Sequence, residues 1–201
     1  MIWVLSHCLA ERSQRYADDV IYHCKTRFMA ERLIAAIRDR LEFCKLKLHP
    51  EKSKIVYCKD NTRKGDYEQV QFDFLGYSFR PRLVKARKGN FFVSFTPAIS
   101  KTARKKISDA IKGWKIHLWS DQTLESISSN LNPKIRGWYN YYGKYQKSAM
   151  SGVGSQIDFA IVRWAKRKYK KLKPSYRKAT RWVNEVKKRQ TNLFAHWNMA
   201  K

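Results

Sequence analysis

Two adjacent carboxylates, Asp18 and Asp19, stand between two short β-prone arms, 15–17 and 20–24. A tight turn between strands would carry both toward one cavity. Carboxylate oxygens are the donors a hard Mg²⁺ ion takes, with water and phosphate oxygens completing its shell. Two such ions about 3.5–4 Å apart activate an attacking 3′-hydroxyl and stabilise a leaving pyrophosphate. An Asp-Asp pair is also an ordinary solvated turn, so the dipeptide by itself leaves both readings open.

Charge points to a second kind of chemistry. The 201 residues carry 43 Lys/Arg and 16 Asp/Glu, a net charge of +27. Self-repulsion on that scale opposes a compact state unless a polyanion compensates it. Seven Trp and eleven Tyr are interleaved with the cations. Cations for phosphates and rings for bases suggest nucleic acid. The balance excludes an ordinary small-metabolite domain with a neutral surface. A hydrophobic share of 43% fits a folded chain, and the length allows one or two small domains.

The four cysteines, Cys8, Cys24, Cys44 and Cys58, form no CxxC and no Cys/His cluster. Zinc ribbons and fingers are therefore not expected, and reduced thiols in a cytoplasmic setting are. Residues 1–10 form a short apolar run without a basic flank, a weak signal peptide. No run of about 18 uncharged apolar residues predicts a membrane span.

The elements that must position these residues follow from pattern. Residues 1–97 hold 19 Lys/Arg and 11 Asp/Glu, and residues 98–201 hold 24 and 5. With the change in pattern, this places a domain boundary near Pro97. The first part reads as strands around one helix. That helix spans 26–45, with Met29, Leu33, Ile37, Leu41 and Cys44 as its apolar stripe. Strands are predicted at 54–58, 70–79 and 91–95. An α+β fold follows: a partial antiparallel sheet with one helix on a face, then a helical bundle. The hairpin, without partner strands, leaves an open sheet edge.

In the second part, Ala103, Ile107, Ile111, Trp114 and Leu118 stripe one helix. Asp121 is expected to cap a second, and Asn132-Pro133 to start a third. Residues 151–155 read as a flexible Gly/Ser link. Ile157, Ile161 and Trp164 stripe the next helix, with Arg163, Lys166, Arg167 and Lys170 turned away. Ala179, Trp182, Val183 and Val186 stripe the last.

Four longer motifs stand in order. Arg15-Tyr16-Ala17-Asp18-Asp19 resembles the YADD box of reverse transcriptases. Residues 46–54, LKLHPEKSK, resemble the following LxLNPEKT box, with His49 for Asn and Ser53 for Thr. Phe72-Asp73-Phe74-Leu75-Gly76-Tyr77 resembles the FxFLGY box. Residues 131–142, LNPKIRGWYNYY, resemble the signature of the maturase-specific domain of group II intron proteins. The chain is thus similar to group II intron reverse transcriptase/maturases over about residues 15–197.

The resemblance implies roles. Asp18 and Asp19 match the palm carboxylates that bind catalytic Mg²⁺. Lys52 matches a lysine near the active site, a candidate to protonate pyrophosphate; it reads equally as a solvated lysine. Phe74, Leu75, Gly76 and Tyr77 match the primer grip. Arg136, Gly137, Trp138 and Tyr142 match the thumb, or maturase X domain. Helical spacing assigns Trp138 and Tyr142 to its core, and leaves Arg136 for phosphate. Arg163, Lys166, Arg167 and Lys170 are further candidates for phosphate contact.

Relatives carry a fingers region and the first half of the palm ahead of the YADD box, including another metal-binding aspartate. Fourteen residues precede Arg15, and none of those motifs is among them. The expectation is a carboxy-terminal part: palm end at 1–97, maturase-specific domain at 98–201. It would bind intron RNA, with a DNA primer or target as a further candidate partner, and assist splicing and mobility. It would be inactive as a polymerase unless a separate fingers–palm chain joined it. An RNA-binding module without catalysis and a nonfunctional gene remnant are the alternatives. No membrane partner is expected.

Overall fold

The computed structural model describes residues 2–5, 13–63, 65–86 and 89–199. Cys8 and most of the opening apolar run lie outside the described residues. The class is α+β, in two compact units. One holds Met1–Phe74 and Ser78–Thr96; the other holds Leu75–Tyr77 and Pro97–Lys201.

The first unit is built on a sheet of β1 (Ile2–Leu5), β2 (Ser13–Tyr16), β3 (Asp19–Cys24) and β4 (Lys54–Tyr57), in the order β2-β3-β1-β4. β2 and β3 form the expected antiparallel hairpin. β1 was not foreseen: it runs parallel to both β3 and β4 and fills the edge that the sequence reading left open. Ile2, Trp3, Val4 and Leu5 make a continuous apolar run, the pattern of a strand between parallel neighbours.

Strand alternation gives the sheet two buried faces. Ile21 packs with Val56, Cys58 and Phe72 on one side. Cys24 packs with Ala30 on the other, under helix α1 (Arg27–Phe43). Thr26 starts α1 by accepting a hydrogen bond from the Met29 amide at 3.2 Å. At its end Leu46 N–H reaches Leu41 O at 2.8 Å and Lys45 N–H reaches Glu42 O at 2.9 Å. This double closure uses Lys45 at φ +57°, a position that usually takes glycine.

A second sheet follows, in the order β5 (Phe72–Phe74), β6 (Tyr77–Lys85), β7 (Phe91–Ile99). The run predicted as one strand over 70–79 is therefore two strands broken at Leu75-Gly76. Phe72 and Phe79 rings stack 4.8 Å apart at 4°, with Phe95 beside them.

The second unit holds helices α2 (Lys101–Gly113), α3 (Leu124–Tyr142), α4 (Ser151–Lys168), α5 (Tyr176–Arg189) and α6 (Ala195–Met199). A one-turn 3-10 helix at Ile116–Leu118 follows α2. Ile107, Ile111, Ile157, Ile161 and Trp164 are buried together as their stripes predict, with Ile127 and Ile135 of α3 among them. Leu118, read onto the first stripe, lies instead in the 3-10 turn and is exposed.

Three boundaries differ from expectation. Thr123, not Asp121, caps α3, accepting from the Ser126 amide at 3.2 Å. Asn132-Pro133 starts nothing: α3 runs through Pro133. Proline removes the donor for the Ser129 carbonyl, but buried Leu131 and Ile135 on either side keep the helix in register. Residues 151–155 are no flexible link but the first turns of α4. Gly154 is buried, and a Cβ there would stand 2.8 Å from the Tyr139 hydroxyl oxygen. Glycine is present because two helices approach closely, a cause that composition does not reveal.

Candidate functional site

The hairpin register sets Tyr16 opposite Asp19, so the turn is Ala17-Asp18. The sequence reading placed it one residue later. Ala17 has φ +53°, the left-handed backbone that suits the twist of a two-residue hairpin. The Arg15 Nε donates to the Ala17 carbonyl at 2.9 Å and braces the turn. Asp18 sits in the turn, and Asp19 opens β3 on the side of Ile21. Both are exposed, and neither forms an ion pair among the described residues.

Lys52 is exposed in the turn before β4, its amide donating to His49 Nδ1 at 3.4 Å. The parallel strands relate it to the carboxylates. Ile21 and Lys54 both stand opposite Ile2. Asp19 and Lys52, each two residues earlier, therefore lie at the same end of the sheet. With β1 between them, strand spacing separates their backbones by on the order of 10 Å.

Phe74-Leu75-Gly76-Tyr77 forms the β5–β6 hairpin, with φ +50° at Leu75 and +78° at Gly76. Leucine is costly in this backbone region, by about 1 kcal/mol or more. Its surroundings hold it there. The Leu75 carbonyl accepts from the Tyr141 hydroxyl at 2.9 Å, and the Gly76 carbonyl from the Ser100 amide at 2.9 Å. A Cβ on Gly76 would meet the Tyr142 hydroxyl oxygen at 3.0 Å, so glycine serves both backbone and packing. Tyr77 is buried and donates to the Tyr141 carbonyl. Burial first, then the neighbouring Tyr141, Tyr145 and Tyr142, pushes its pKa up to about 12. Phe74 is half-buried in the first unit, and Leu75 is exposed.

Arg136 is exposed on α3. Trp138 stacks on Trp114, centroids 5.4 Å apart at 11°, and is half-buried. Arg163, Arg167 and Lys170 are exposed. Lys166 differs from the other three: it is half-buried, with Nζ 3.4 Å from the centroid of the Tyr176 ring.

Sequence reasoning missed a polar cluster that ties the chain's last helix to the bundle. Asp158 Oδ1 accepts from His196 Nε2 at 2.8 Å and Trp197 Nε1 at 2.7 Å. Its Oδ2 accepts from Lys187 Nζ at 3.2 Å. Asn132 adds a second tie: Nδ2 donates to Leu193 O and Oδ1 accepts from Ala195 N–H, both at 2.8 Å. Partners more than 25 residues apart leave no periodic signal.

Burial pushes the Asp158 carboxyl up, but His196, Trp197 and Lys187 together hold it below the usual carboxylate range. Because the folded pKa is the lower one, the tie's contribution is fully present above the ordinary carboxylate value of about 3.9. It is lost as pH falls from there through the folded value. Thermal melts between pH 6 and pH 3 should show wild type losing stability on acidification. Asp158→Asn should melt lower at neutral pH and lose less on acidification.

The donor set at the hairpin fits a divalent ion in kind: two exposed carboxylates without cationic partners among the described residues, the oxygen chemistry of Mg²⁺. Among the described residues no cluster of three or more acidic, His or Cys side chains forms. Also among them, no helix is long and apolar enough to cross a membrane.

Residues 3–79 match the family model of reverse transcriptases (RNA-dependent DNA polymerases). Residues 104–183 match that of the group II intron, maturase-specific domain. The chain finds no match among curated proteins.

Proposed function

Because the chain belongs to the group II intron reverse transcriptase/maturase family, we propose that it binds intron RNA through its helical unit and thereby assists splicing and mobility. The observation that carries this reading is charge. Residues 98–201 hold 24 Lys/Arg and only 5 Asp/Glu. Asp109, Asp158 and Glu185 are already engaged by Lys112, Lys187 and Arg189. Cations thus far outnumber the acidic groups of these residues, and a polyanion relieves their mutual repulsion. Arg136, Arg163, Arg167 and Lys170 are exposed for phosphate, with Lys166 beside them.

The sheet end belongs to the same reading. Asp18 and Asp19 would hold Mg²⁺, which when bound activates a 3′-hydroxyl and stabilises departing pyrophosphate. Lys52 would serve at that end as a proton donor, and exposed Leu75 is the primer contact proposed for the Phe74-Leu75-Gly76-Tyr77 turn. A two-ion site needs a further carboxylate beyond these two.

Salt tests the RNA reading. Binding of structured intron RNA should weaken steeply between 50 and 200 mM salt, with log affinity falling by ~0.7–0.9 per phosphate contact per log unit of salt. Replacing Arg163, Lys166, Arg167 and Lys170 together by Gln should reduce that slope by about 3, if each releases one counterion. The loss should be similar for all RNA sequences, since phosphate contacts carry no base information. A flat salt response would sink the reading.

A further inference from the structure

We propose that the groove between α2, the 3-10 turn and α4 receives one unpaired nucleotide of the bound RNA. This rests on the RNA-binding reading above and names the part of the RNA that the helical unit selects.

The groove encloses about 540 Å³, room for a nucleobase with its sugar. Its floor is apolar: Ile111 and Ile116 are buried, and Ala160 closes one side. Phe159 stands at its wall, 55% exposed. That ring runs nearly parallel to Tyr176, 8° between planes with centroids 6.0 Å apart. An aromatic half in solvent on an otherwise polar helix face is what a base can stack against, whatever its identity.

The lip is cationic. Lys112, Lys115 and Arg163 line it, with Ser108, Ser155 and Gln156 offering hydrogen bonds. Neither Lys115 nor Arg163 has a carboxylate partner among the described residues. Lys115 takes φ +47°, backbone a lysine adopts only at a cost, and such strain gathers at ligand sites. His117 lines the same groove. Burial first, then the charges of Arg163, Arg167 and Lys115, holds it below its ordinary pKa.

An apolar floor with an aromatic wall suits a base, and a cationic lip suits the phosphates flanking it. Paired bases present only their edges to a protein, whereas an unpaired base offers its whole face. The combination therefore selects a bulged or single-stranded nucleotide over a continuous duplex.

The test measures affinity of the full chain for two RNA hairpins, one fully paired and one with a single bulged 2-aminopurine. Wild type should prefer the bulged hairpin by about 10-fold, the range of one base–aromatic stack. The 2-aminopurine fluorescence should be quenched on binding. Phe159→Ala should abolish both preference and quenching, and Phe159→Trp should retain both. Equal affinities in wild type, or a preference that survives Phe159→Ala, would overturn the groove assignment while leaving RNA binding intact. Failure to bind either hairpin at low salt would overturn the RNA reading itself.

Discussion

Trp164→Ala is expected to destabilise the helical unit by ~3–5 kcal/mol. Trp164 has no exposed surface, and its Nε1 donates to the Trp119 carbonyl at 2.8 Å. Truncation opens a cavity beneath α4 and removes one of the two donors to the Trp119 carbonyl, leaving only the Gln122 amide. For a unit of about 100 residues each kcal/mol moves the midpoint by roughly 4–8 °C, so melting should fall by more than 10 °C. Trp114 and Trp182 share the helical stripes but are half-buried, so their alanine variants should lose less. A calorimetric scan of the three variants decides the order. Unchanged melting of Trp164→Ala with lost RNA binding would place that ring at the RNA.

A polypeptide of these 201 residues is expected to add no nucleotide to a primed RNA template with Mg²⁺. The hairpin offers Asp18 and Asp19, and no third carboxylate gathers with them among the described residues. The neighbouring position in the sheet is held by β1, whose Ile2, Trp3, Val4 and Leu5 bring none. A fingers–palm polypeptide that restores synthesis must therefore displace β1 or reach the turn from the end of the sheet. Restored extension should drop to background in Asp18→Asn, which keeps the size and removes the charge. Robust extension by the lone chain, lost in Asp18→Asn, would refute this and reveal a ligand overlooked. Activity surviving that substitution would mark a contaminating enzyme.

What was legible in the sequence was what repeats or what is local. The stripes of Ile107–Ile111 and Ile157–Ile161–Trp164 follow the helical period, and the structure buries them. The hairpin around the two aspartates was legible from its β-prone arms. What stayed hidden depends on contacts distant in sequence. Gly154 reads as a linker residue until Tyr139 is seen above it. Asn132 reads as a cap until its amide meets Leu193 and Ala195. The groove at Phe159 joins residues from α2 and α4 that share no motif. β1 was passed over because four apolar residues are too few to show a period.

The Leu75-Gly76 turn has a consequence for how such a gene can be cut. Its carbonyls are held by Tyr141 and Ser100, and Tyr77 is buried against Tyr141, Tyr142 and Tyr145. Three residues from the end of the reverse transcriptase stretch are thus part of the helical unit. A recombination joint at Pro97 would exchange the helices but leave that turn behind, stripping cover from a tyrosine cluster. The maturase half is therefore not a free cassette, and descent should carry the FxFLGY-like box and the helices together as one inherited block.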